Sequence, residues 1–165
     1  MKERYWSLMT QKKFALFYLG CHLHKCVLIE RCTSIILAVI STGSLAGLIF
    51  NEKSRVVLTC ILALTQIFTA AKPYLPFERR LKELDRGIPL LNMVYMDIEK
   101  DWNRIFDEDP SEDDINKIYY KHAKKWDEID SEILKGDVLP FNKKYEESAN
   151  AEKDRYFENM FGGGQ

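Results

Sequence analysis

Two uncharged stretches in close succession dominate the hydrophobic pattern of the chain. Thr33–Phe50 (TSIILAVISTGSLAGLIF) runs eighteen residues without a charge, and Val56–Ala71 (VVLTCILALTQIFTAA) runs sixteen. At about 1.5 Å per helical residue the first matches a hydrocarbon core of about 30 Å. The second reaches that length with Lys72 snorkelling and with Tyr74, Leu75 and Phe77 extending the interfacial stretch. Five polar residues, Asn51–Arg55, separate the two, which predicts an antiparallel hairpin with both chain ends on one side. The competing reading, a hairpin buried inside a soluble bundle, is disfavoured because so short a chain has too little other protein to cover two all-apolar helices.

Ahead of the hairpin, Phe14–Ile29 is apolar but interrupted by His22, His24 and Lys25, with Tyr5, Trp6 and Tyr18 nearby. That mixture predicts a helix lying in the membrane interface. Behind the hairpin the period changes. Phe77, Leu81, Leu84, Ile88, Leu91, Tyr95, Ile98, Trp102 and Ile105 alternate four- and three-residue steps, the spacing of a coiled-coil seam. Gly87 and Pro89 fall inside it and predict a kink or short break, and the helix is expected to stop near Asp107, before Pro110. Ser111 then caps a second helix whose first turn holds Glu112, Asp113 and Asp114, and whose seam is Ile115, Tyr119, His122, Trp126, Ile129 and Ile133, ending at Gly136. Phe141–Phe161 reads as a third, weaker amphipathic helix. The expectation is an all-α membrane protein, a transmembrane helical hairpin with a cytoplasmic helical, coiled-coil-like domain. Its expected parts are an N-terminal interfacial or cytoplasmic helix over 1–32, the two-helix transmembrane hairpin over 33–72, the cytoplasmic helical domain over 73–161 and a flexible tail over 162–165.

Charge sharpens the picture. The overall net charge is −1, but residues 1–76 carry nine Lys/Arg against three acids, while 77–165 carry fifteen against twenty-two. Lys12, Lys13, Lys25 and Arg31 precede the first span and Lys72, Arg79, Arg80, Lys82 and Arg86 follow the second, against Lys53 and Arg55 in the connection. The excess of basic residues at the chain ends places both termini in the cytoplasm. The N-terminus mixes charges with aromatics and lacks a cleavage site, so it does not read as a signal peptide. The four cysteines lack the spacing of a disulfide scaffold and read as reduced.

Small residues mark the helix faces. Gly43 and Gly47 form a GxxxG, and Thr59, Ala63 and Gln66 share a face of the second helix. Either the two helices pack on each other through these faces, or subunits do so around a lumen lined by Ser, Thr and Gln. The seam residues Leu81, Leu84, Ile88, Leu91, Ile98, Trp102, Ile115, Tyr119, Trp126 and Ile129 are the candidates for assembling a homo-oligomer, and two helices per subunit enclose water only in an oligomer, a tetramer or larger. No nucleophile, phosphate loop or metal motif emerges, so neither catalysis nor a cofactor is expected; Cys21-His-Leu-His-Lys-Cys26 matches no common zinc spacing. Lys121, Lys124, Lys125, Lys143 and Lys144 stand among aromatics and are candidates for a nucleotide signal, against the plainer reading of a solvated helix face.

The short lead-in, the two helices with their tight loop, the Lys72-Pro-Tyr-Leu-Pro76 exit and the long helical tail opening Phe-Glu-Arg-Arg80 resemble the SLATT family over most of the chain. The resemblance implies a membrane effector of bacterial conflict and antiphage systems, paired with a nucleotidyltransferase that makes a cyclic or oligonucleotide signal, and acting by permeabilising the bacterial inner membrane. The alternative is a non-conducting membrane anchor whose coiled-coil tail recruits a soluble partner.

Overall fold

Long runs of helix formers, interrupted by few prolines, produce an all-α chain. The computed structural model describes residues 1–50, 55–134 and 139–162, and for 44–50, Arg55 and Pro76 it describes the backbone alone. Helix α1 spans Lys2–Phe50, α2 Arg55–Ala71, a 3-10 turn Lys72–Tyr74, α3 Pro76–Glu108, α4 Glu112–Leu134 and α5 Lys143–Phe161. No strand occurs among the described residues. The connection at 51–54, the expected stop at Gly136, the end of the glycine tail and the surroundings of Gly47 lie outside them.

The chain divides into two compact units, Met1–Leu23 with Glu83–Gln165, and His24–Lys82. The first is a helical bundle. Its core takes Tyr5, Met9, Leu16 and Leu19 from α1, Leu84, Leu91, Val94, Tyr95, Ile98 and Ile105 from α3, and Ile115, Trp126 and Ile133 from α4, with Tyr156 and Phe157 of α5 packed against it. The first part of α1, expected at the membrane interface, is therefore a bundle helix. Its aromatics are anchored by partners: the Tyr5 hydroxyl donates to the Ile98 carbonyl (3.1 Å), and the ring stacks on Trp102. Trp6 meets Trp102, Phe157 and Phe161 at centroid distances of 5.1–5.2 Å. Lys13 is buried as well, its ammonium 3.5 Å from the Tyr156 ring centroid and 4.3 Å from that of Tyr95.

Local sequence explains the element ends. α3 runs unbroken through Gly87 and Pro89, because Pro89 lies on the exposed side, where water can satisfy the carbonyl its ring leaves unbonded. Gly87 is buried, and a Cβ there would overlap Ile133 of α4, so the glycine permits the close approach of the two helices. α3 gives way at Asp109, whose φ of 46° lies in the left-handed region that Asp tolerates, just before Pro110. Ser111 then caps α4: its hydroxyl accepts from the Asp114 amide (3.3 Å) and donates to the Asp114 carboxylate (2.6 Å). Asn142 caps α5, its side-chain oxygen accepting from the Lys144 and Tyr145 amides.

Candidate functional site

The second unit holds the two apolar stretches. α1 and α2 are each long and apolar enough to cross a membrane, and only 6% of the apolar window of each is buried. Ile35, Ile36, Val39 and Ile40 on α1, and Val56, Val57, Ile61, Leu64, Ile67 and Phe68 on α2, are exposed. Isolated exposed hydrophobics are ordinary, but so continuous an apolar surface needs a cover that the described residues of this unit do not supply.

The least exposed positions trace one stripe on each helix: Thr33, Ser34, Leu37 and Ser41 on α1, and Leu58, Leu62 and Thr65 on α2. Thr65 is buried, its hydroxyl donating back to the Leu62 carbonyl at 2.7 Å. The small-residue faces singled out by the sequence lie elsewhere. Gly43, Thr59, Ala63 and Gln66 are all exposed, and a Cβ built on Gly43 meets nothing within 4 Å. Among the described residues, then, nothing packs against the Gly43 position.

At the base of the hairpin the Lys72 ammonium donates to Glu30 (2.8 Å) and to the Ser34 hydroxyl (2.6 Å), and stands 3.4 Å from the buried Glu78. The Ser34 hydroxyl also donates to Glu30 (2.9 Å). One cation thus ties α1, the 3-10 turn and the first turn of α3. Its hydrogen bond, supported by that of Ser34, holds the Glu30 carboxyl below the ordinary carboxylate range, and Glu30 in turn raises Lys72. The sequence showed Lys72 as a snorkelling end-residue; its two carboxylate partners, 42 residues before it in the chain and six after, carry no local signal.

The seam residues of the first unit are spent inside the chain. Leu84, Leu91, Ile98, Ile115 and Trp126 are buried in the bundle core, and Ile88, Trp102, Tyr119 and Ile129 pack against it; Leu81 is half-buried in the second unit. The stripe is thus largely taken up within the chain, where α1 packs against it, and Ile88, Trp102, Tyr119 and Ile129 stay partly exposed. His122, on the same seam, is buried with Nε2 2.8 Å from the Asp101 carboxylate.

The five lysines considered for a nucleotide signal do not gather at one place. Lys121 and Lys125 line a groove of about 560 Å³ in which four cations (Lys100, Arg104, Lys121, Lys125) face four carboxylates (Asp97, Asp101, Asp107, Glu108), so it offers phosphate no excess of positive charge. Lys125 is itself 3.0 Å from Asp97. Lys124 borders a shallower depression beside Arg4, Tyr119 and Tyr120, and Lys143 and Lys144 open α5. Among the described residues no group of His, Cys, Asp or Glu is placed to hold a metal ion; His22 packs between the Tyr18 and Tyr145 rings. Compared with models of known protein families, with curated proteins and with solved structures, the chain matches none of them.

Proposed function

We propose that this chain is a non-enzymatic, homo-oligomeric membrane effector whose paired helices assemble into a pore. On this reading the helices cross the bacterial inner membrane with both termini cytoplasmic, and the pore depolarises it on a nucleotide signal, in the manner of the SLATT family that the sequence resembles. The observation that carries the reading is the exposed surface of the hairpin. Its apolar side chains call for lipid, and the open position at Gly43 allows close helix approach by another subunit, the contact that drives association where lipid gives no hydrophobic push. The Thr59–Ala63–Gln66 face supplies the weakly polar lining that such a lumen requires.

The test is membrane voltage in cells expressing the full chain with its signal supplied, followed by a voltage-sensitive dye. Wild type is expected to depolarise the cells. Gly43→Leu, whose Cβ meets nothing within 4 Å, is expected to abolish the response while leaving expression and membrane insertion unchanged. Unaltered voltage with wild type returns the reading to a passive anchor, and an unaltered response in Gly43→Leu removes that face from the mechanism.

A further inference from the structure

The bundle carries an apolar strip on its outside. On α3, Pro89, Met93 and Met96 follow helical steps of four and three residues on the side opposite the core positions Leu84, Leu91 and Ile98. All three are exposed, Met93 at 62% and Met96 at 61%, and Leu90 beside them is 42% exposed. Methionine, flexible and polarisable, is enriched where protein meets protein. Opposite charges flank the strip. Asp85 and Arg86 are consecutive, so about 100° of helix rotation separates them, and the strip runs between the two. Both are exposed, and among the described residues neither forms an ion pair. Pro89, lacking an N–H, also leaves the Asp85 carbonyl short of its helical donor beside the strip.

We propose that this strip joins the bundles of neighbouring copies of the chain, the Arg86 flank of one docking on the Asp85 flank of the next. The proposal rests on the homo-oligomeric membrane reading above and adds to it the bundle surface that assembles, since the α3 and α4 seams are largely taken up within the chain. Copies held in one membrane with one topology are related by rotation about its normal, which sets equal residues at equal height. Arg86 of one copy then lies level with Asp85 of its neighbour, and Met93 packs on Met96 between bundles. The guanidinium, with five donors, serves the Asp85 carboxylate and the carbonyl that Pro89 frees. Because the two flanks differ, the contact is head-to-tail, and a head-to-tail contact that closes makes a ring, as a pore requires.

Full chains carrying Met93→Cys and full chains carrying Met96→Cys, co-expressed and oxidised in a neutral detergent, test this. Mass spectrometry of the linked peptides is expected to show a disulfide joining position 93 of one copy to position 96 of another. Asp85→Arg in both chains sets two cations against each other and is expected to abolish that link, and the swap Asp85→Arg/Arg86→Asp to restore it, with tryptophan emission unchanged in each. Light scattering on the wild type separates the two readings. Oligomers that never give the 93–96 link, or give it undiminished with Asp85→Arg, remove the strip alone, whereas a wild type that stays monomeric in detergent and in bilayer discs removes the oligomeric reading with it. Met93 and Met96 that become shielded from peroxide only when cell extract is added would assign the strip to a foreign partner and overturn the proposal.

Discussion

At Gly87 an added methyl group would run into Ile133, with Cγ2 2.9 Å from it and Cδ1 and Cγ1 closer still. Alanine is the better helix former by ~1 kcal/mol, so an unobstructed site would gain from the change. Here overpacking decides, and Gly87→Ala is expected to cost about 1–3 kcal/mol. In an Ile133→Ala background the same substitution is expected to become neutral or favourable, the coupling that a double-mutant cycle reads. All three tryptophans, Trp6, Trp102 and Trp126, belong to this bundle, so their emission during unfolding reports it. Lys13 offers a second test at this scale. Burial lowers its pKa, with Glu99 opposing, so the folded chain gives up that proton at a lower pH than the unfolded chain does. Between the folded pKa and the unfolded value of 10.5, the unfolded state binds more protons and stability rises with pH. The stability difference between wild type and Lys13→Met is therefore expected to shift toward wild type from pH 7 to pH 10, and a flat difference would show that the ammonium is not desolvated.

The elements themselves were legible wherever periodicity or capping chemistry spoke. The four-three seams of α3 and α4, the Ser111 cap and the stop before Pro110 all follow from local rules. What covers a seam does not, because spacing defines a face without naming its partner. Tyr5, Met9, Leu16, Leu19 and Leu23 repeat the same spacing at the start of α1, and they are what the α3 and α4 seams meet. The aromatics and scattered charges around them suggested a membrane interface, although burying those rings against a bundle satisfies them equally well. Gly87 and Pro89 likewise looked like an interruption, since the sequence could not show that one faces Ile133 and the other faces solvent. At the hairpin base, the Lys72 tie makes its own forecast. Glu30→Lys is expected to place two cations together and loosen the 24–34 and 72–82 segments, seen as faster amide exchange. The swap Glu30→Lys/Lys72→Glu restores opposite charges and is expected to recover part of the protection; exchange unaffected by either variant would show that the pair holds nothing in place.

Over the whole molecule, charge and exposure part along the same line. The hairpin unit holds eight Lys/Arg and three acids, leaving the bundle unit acidic. Ile36 and Val39 are 57% and 66% exposed on α1. For a protein surrounded by water, lysine at such positions costs within about 0.5 kcal/mol. In hydrocarbon each costs about 2.5–3.5 kcal/mol by insertion scales. Ile36→Lys/Val39→Lys is therefore expected to release the chain from membranes under alkaline carbonate extraction while wild type stays in the pellet. Equal partitioning of the two would place water around α1. A different use follows from the free thiols. Cys32 and Cys60 are exposed on the two apolar helices, and Cys60 adjoins Thr59. A thiol surrounded by acyl chains ignores a water-borne maleimide, whereas one at a hydrated wall is alkylated. The native Cys60, beside Thr59, thus serves as a wetting gauge on α2 without a single engineered residue.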